Sequence, residues 1–159
     1  MCCDGTLFTW VGLPDDGDEA MLAGTPIAVK GSEGKSFFSQ PCAAFAGCCS
    51  IYASRPSNCR SFRCSLLRRH ETGDVSTDEA RRIIRMTLDM RDRALGPIRQ
   101  RLAVDDMSFR EIQKRLAVLT AEESVASPEH MVMVLDAVAV DKLLSQHFLP
   151  TPPRDTQQA

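Results

Sequence analysis

The sequence predicts an α+β fold, mostly α, in which a Cys-rich part of loops and short strands packs on a three- or four-helix bundle. Two observations carry this. Residues 1–73 are rich in Gly, Pro, Ser and Cys, and their apolar runs are too short for helices. Residues 74–149 instead carry apolar side chains at helical spacing between recognisable caps. A third observation bears on chemistry. All seven cysteines lie within the first 64 residues: Cys2, Cys3, Cys42, Cys48, Cys49, Cys59 and Cys64.

The elements follow in order. Residues 7–13, with Phe8, Trp10 and Val11, read as a strand that Pro14 ends. Residues 15–22 are acidic and then apolar, and read as one or two helical turns. Their acidic run, Asp15, Asp16, Asp18 and Glu19, reads as a solvated face. Residues 26–29 and 36–38 are two more short strands, and residues 31–34 form a hairpin connection between them. Ser76 with Glu79 is a capping box. The helix it opens carries Ile83, Ile84, Leu88 and Leu95, and Gly96-Pro97 is expected to stop it. Pro97 then opens a short helix through Ile98 and Leu102. Ser108 with Glu111 is a second capping box, followed by an apolar stripe of Ile112, Leu116 and Leu119. Ser127-Pro128 opens a last helix whose stripe is Met131, Val134, Leu135, Val138 and Leu143. Pro150, Pro152 and Pro153 begin a tail, residues 150–159, expected to be disordered.

A chain of 159 residues is expected to form one domain. Such a chain buries roughly 70% of the surface its unfolded form exposes. The cysteine region 1–73 and the helical region 74–149 are therefore read as parts of the same compact domain. Hydrophobic residues make up 43% and charged residues 25%, so a hydrophobic core alone explains the helical half. The formal net charge of −2 points to neither nucleic acid nor an anionic membrane. Positive charge is local, with Arg55, Arg60, Arg63, Arg68 and Arg69 around the last cysteines. The start has no basic and then apolar leader pattern, and the longest apolar stretch, residues 131–135, is far too short for a bilayer span. The expected location is cytoplasmic, where thiols stay reduced and disulfides are disfavoured.

Grouped reduced thiols point to a metal. The spacings are Cys2-Cys3, Cys42-x5-Cys48-Cys49 and Cys59-x4-Cys64. Thiolates suit zinc, copper(I) or iron–sulfur clusters. The spacing does not choose among them, being wider than most zinc fingers and unlike the ferredoxin run. Four thiolates around a divalent ion leave a charge of about −2, which nearby arginines offset. Arg60 follows Cys59 and Arg63 precedes Cys64. Arg55-Pro56 should extend the backbone and turn it rigidly between Cys49 and Cys59. Trp10 and Tyr52 read as core fillers, His70 as a surface side chain at a loop end, and His130 and His147 as structural or exposed. Phosphate-cradling GxxxxGK[ST], GxSxG and HExxH patterns are absent from the sequence.

The ordered set Gln40-Pro41-Cys42, Cys49-Ser50-Ile51-Tyr52, Arg55-Pro56 and Cys59-Arg60-Ser61-Phe62-Arg63-Cys64 resembles the YkgJ-like cysteine-cluster family. This is a zinc- or iron-chelating domain family of the CxxCxxCC type. The start Cys2-Cys3-Asp4-Gly5-Thr6-Leu7-Phe8 resembles its CC segment, so the likeness covers about residues 2–67. The resemblance implies metal ligands at Cys3, Cys42, Cys49, Cys59 and Cys64, with Cys2 as companion. Cys48 is an extra and reads as a small buried hydrophobe. The family carries a further cysteine upstream of its CC pair, where this chain has Met1. The expectation is a start lying upstream or a reduced ligand set. The expected function is a metal-binding protein holding zinc or iron, an iron–sulfur cluster included. The alternative is a metal- or cluster-dependent enzyme using the same centre. No catalytic residue is assigned, and a metal ion is the expected partner.

Overall fold

The sheet comes from three short runs, residues 10–13, 29–32 and 35–39, that carry Trp10, Val11, Leu13, Val29, Phe37 and Phe38. The computed structural model describes residues 1–14, 16–32, 34–104, 107–122 and 127–150, so Asp15 and residues 151–159 of the expected tail lie outside the described residues. Among them are a three-stranded antiparallel sheet and six α-helices, which is the mostly α architecture with a small β part. No helix among the described residues is long and apolar enough to cross a membrane.

The chain divides into two compact units, Met1–Phe62 with Leu102–Ala126, and Arg63–Arg101 with Ser127–Ala159. This partition differs from the compositional boundary at residue 73. A helix that looks like part of the helical half groups with the cysteine-rich segment.

In the first unit, β1 (Trp10–Leu13) and β2 (Val29–Ser32) flank β3 (Lys35–Ser39). The register puts Val11 and Val29 opposite Phe38, forming an apolar row across all three strands. Phe38 is buried in a cluster with Leu13, Leu22, Ile27, Cys42 and Ala44. Because side chains alternate, the same register sends Trp10 to the opposite face. There it is 59% exposed and edge-on to Phe37, so it is not the core filler expected. β2 begins later than the sequence suggests. Pro26 has no N–H for a ladder, and Thr25 turns the chain by bonding the Leu22 carbonyl and the Ile27 N–H.

Two short helices complete this part, α1 (Asp16–Met21) and α2 (Ser57–Ser61). The fifth helix in chain order, α5 (Phe109–Glu122), buries Phe109, Ile112 and Leu116. The predicted capping box opens it. The Ser108 N–H donates to Glu111 Oε2 at 2.9 Å, and the Glu111 N–H donates to Ser108 Oγ at 3.3 Å. Ser108 also abuts the N-terminal turn at Gly5, where φ is +75°.

The second unit holds α3 (Ser65–Glu71), α4 (Thr77–Leu102) and α6 (Pro128–His147). Ser76 and Ser127 cap α4 and α6 by accepting the N–H groups of Glu79 and His130. α4 does not stop at Gly96-Pro97; it runs on with Pro97 inside it. A mid-helix proline costs about 3 kcal/mol. Ala94, Leu95 and Ile98 are all buried around it. Burying large aliphatic side chains stabilises by about 1.5–3 kcal/mol each, which outweighs the break. α6 buries His130, Met133, Ala137, Val140 and Leu144, whereas Met131, Leu135 and Val138 of the expected stripe are exposed. The helix is apolar on both faces, so spacing does not reveal which one is inside.

Gly5→Ala tests the N-terminal turn. An added Cβ would lie 2.5 Å from the Ser108 Cβ, at a backbone angle that alanine resists. We expect a loss of about 1–3 kcal/mol in urea unfolding, as for overpacked sites. A Gly24→Ala control has open space around its Cβ but the same kind of φ, +76°. The difference between the two isolates the clash.

Candidate metal centre

Four cysteines reach one region of the first unit from three separate segments. Cys3 lies in the N-terminal turn, and its carbonyl accepts the Cys42 N–H at 2.8 Å. Residues 42–50 then fold into a tight hairpin. The Phe45 N–H bonds the Cys42 carbonyl, Phe45 pairs with Cys49, and the Ser50 N–H bonds the Ala44 carbonyl. Gly47, with φ +78°, makes the tip. Cys42 and Cys49 thus stand at the two legs of one hairpin. Arg55 is extended before Pro56, as the sequence requires, and leads into α2, which carries Cys59.

α2 has only five residues and is held from outside. Asn58 Nδ2 donates to the Gly12 carbonyl at 2.8 Å. The Ser57 N–H donates to Asp18 Oδ1 at 2.7 Å, and the Ser57 hydroxyl donates to Asp18 Oδ2. Asp18 is buried, contrary to its reading as part of a solvated acidic face. Desolvating a carboxylate is costly without such donors, and the start of α2 supplies them. No sequence signal links positions 18 and 57.

Cys42 belongs to the Phe38 core cluster, and Cys3 and Cys59 pack against it. Burial pushes the Cys59 thiol up from the ordinary value of 9.0 to about 11. The charges of Cys3, Cys42 and Cys49 push the same way, and the Arg55 guanidinium opposes them. Burial likewise raises Cys3, with Cys42 and Cys49 adding to it. Burial raises Cys42, a hydrogen bond from the Ala44 backbone lowers it, and Cys49 raises it. Cys3, Cys42, Cys49 and Cys59 therefore form one electrostatic neighbourhood, in which burial holds Cys3, Cys42 and Cys59 towards the protonated form. Among the described residues, no three His, Cys, Asp or Glu side chains already stand in metal-coordinating positions. A cysteine sulfur moves by rotation about a single torsion, so the backbone sets the neighbourhood and the rotamers set the contacts. Gln40 Oε1, two residues before Cys42, is buried without a hydrogen-bond partner.

The other candidates are placed differently. Cys2 is half-buried beside Cys3. Cys64 lies in the second unit, where it caps α3 and its sulfur accepts the Leu67 N–H at 3.4 Å. Cys48 is exposed next to the Gly47 tip, not buried as expected. His70 lies in α3, half-buried, with Nδ1 2.9 Å from the Val75 carbonyl oxygen. His130 is buried on α6, and burial and Arg69 lower the His147 pKa. Arg55, rather than a residue flanking Cys59, is the cation that acts on it. Its guanidinium lies 3.5 Å above the Tyr52 ring, and its Nε donates to the Tyr52 carbonyl at 2.9 Å. Tyr52 is 65% exposed, so it shields Arg55 rather than filling the core. Arg63, expected near the thiols, pairs with Glu71 at 3.3 Å.

Comparison of the chain with protein-family models, curated proteins and solved structures finds no match.

Asp18→Ala leaves the first N–H of α2 without its acceptor. Hydrogen bonds to charged groups are worth about 1.5–3 kcal/mol. We expect a stability loss of that size by urea unfolding, with Asp18→Asn losing less. The raised thiols set a pH dependence of the metal-free chain. The folded form holds protons that the unfolded form releases near pH 9.0, so stability falls as pH rises from there through about 11. Urea midpoints measured anaerobically at stepped pH check this, and Cys59→Ser should flatten the slope.

Proposed function

We propose that the first unit is a metal-binding module that holds zinc or iron through Cys3, Cys42, Cys49 and Cys59. The observation that carries this reading is the convergence of four thiols, from three segments, in one half-buried electrostatic neighbourhood. Four thiolates are the donor set of a tetrahedral zinc or iron site and of common iron–sulfur clusters. A cation would replace four protons, reverse the mutual repulsion and cross-link the N-terminal turn, the hairpin and α2. Arg55 supplies a compensating positive charge from one side. The resemblance to the YkgJ-like cysteine-cluster family supports the same reading, since these four are among the positions it shares. Cys64 and Cys2 are the further ligands that the resemblance implies. A cytoplasmic setting belongs to this proposal, because the thiols must stay reduced to bind.

Anaerobic purification with elemental analysis and a visible spectrum tests it. Stoichiometric zinc without colour indicates a single site, and iron with sulfide and a brown colour indicates a cluster. Metal-free protein that folds and takes up neither metal would overturn the reading. Cys42→Ser and Cys59→Ser should each abolish stoichiometric metal, whereas Cys48→Ser should retain it. Cys64→Ser separates the four-thiol set, which keeps its metal, from the larger set, which loses it. Affinity should weaken steeply as pH falls, because each ligand must shed a proton.

A further inference from the structure

The face of the sheet turned away from Phe38 combines aromatic and cationic side chains. Side chains alternate along a strand, so Trp10 and Gly12 of β1, Phe37 and Ser39 of β3 and Lys30 of β2 share this face. Trp10 is the single tryptophan of the chain and is 59% exposed. Its ring centroid lies 6.1 Å from that of Phe37. Gly12 lets the indole lean along the strand, with Cζ3 3.4 Å from where a Gly12 Cβ would stand.

Cations approach this indole from two elements. The Lys30 ammonium donates to Ser39 Oγ at 2.8 Å, and Ser39 is the cross-strand partner of Trp10. A groove of about 490 Å³ also opens between residues 7–10 and the start of α5. Phe8, Thr9 and Trp10 form one wall, and Arg110, Gln113 and Lys114 form the other. Arg110 Nη1 donates to Gln113 Oε1 at 2.8 Å, which steadies the guanidinium. None of the described residues lining the groove is acidic. The acids nearest to it in sequence are engaged elsewhere. Glu111 closes the Ser108 cap, and Asp4 accepts the Thr6 N–H and pairs with the Met1 ammonium.

We infer that the Trp10 face and the α5 groove bind single-stranded nucleic acid. One base stacks on Trp10, the next lies at Phe37, and Arg110, Lys114 and Lys30 hold the phosphates. The pairing of rings with cations selects this ligand. An aliphatic partner would desolvate three cations without compensation, and an acidic peptide would leave the rings without planar partners. A single strand offers a flat base and a phosphate at every step, whereas a duplex keeps its base faces stacked. Two neighbouring rings and three cations exceed what one free nucleotide can use. The net charge of −2 hides the site, because a binding face is set by its own residues and not by the sum over the chain.

Fluorescence anisotropy of a labelled single-stranded oligonucleotide about ten nucleotides long, titrated with the full chain at low salt, tests this. Saturable binding is expected, with Trp10 emission quenched at the same midpoint. Trp10→Ala should weaken binding about tenfold or more, the effect of losing one stacked base, and Trp10→Phe should retain most of it. Three phosphate contacts predict a log–log salt slope of about −2. Arg110→Gln with Lys114→Gln should weaken binding and bring that slope to about −0.7. Far-UV circular dichroism should keep the wild-type signal in each variant, which separates a lost contact from a lost fold. Absence of binding at low salt overturns the inference, as does an affinity that Trp10→Ala leaves unchanged. So does a duplex that binds as tightly as the single strand, or a free mononucleotide that competes as well as the oligonucleotide.

Discussion

The packing of Phe38 between Val11 and Val29 sets the first unit, because the thiols are part of the core it organises. A sheet of three short strands has one buried face, and here that face is finished by sulfur as well as by aliphatic carbon. Cysteine serves both needs, being small and apolar when protonated and a strong soft donor when ionised. The same burial that stabilises the fold pushes Cys59, Cys42 and Cys3 towards the protonated form. Fold and thiol chemistry are thus coupled: a tighter core means thiols that ionise less readily.

The polar contacts around this core have a common pattern. Asp18, Asn58 and the Ser108–Glu111 box each tie a short or irregular segment to another part of the same unit or secure its start. A hairpin of nine residues and a helix of five would not hold their shapes alone. Their geometry is borrowed from neighbours through hydrogen bonds, which are directional where apolar packing is not. That is how Cys59, on an otherwise weak helix, is held in place, while the Cys42 N–H bond to the Cys3 carbonyl ties the hairpin to the N-terminal turn.

The sequence shows the cysteine grouping, the hairpin between β2 and β3, the extended Arg55 and the caps at Ser76, Ser108 and Ser127. These are local signals, carried by residues a few positions apart. It hides whatever depends on distant pairs. Asp18 looks like one more solvated acid because Ser57 is 39 positions away. α5 looks like part of the helical half because its affiliation rests on Ser108 meeting Gly5. Trp10 and Tyr52 look like core by composition, but strand register and an arginine partner turn them outward. Spacing chooses the wrong face of α6 because both faces are apolar. Gly96-Pro97 looks like a stop because local cost is visible and tertiary burial is not.

The discontinuity of the first unit has a temporal consequence. During synthesis the N-terminal 62 residues emerge long before α5 exists, since roughly 40 residues separate the two parts of the unit. At about 5–20 residues per second, this nascent segment spends several seconds with its six thiols in place and Phe109, Ile112 and Leu116 still unmade. The order of emergence puts the six cysteines of the unit ahead of part of the apolar surface that completes it. The N-terminal segment and α5 are thus made on separate clocks, and the earlier of them waits as a chain still open to solvent.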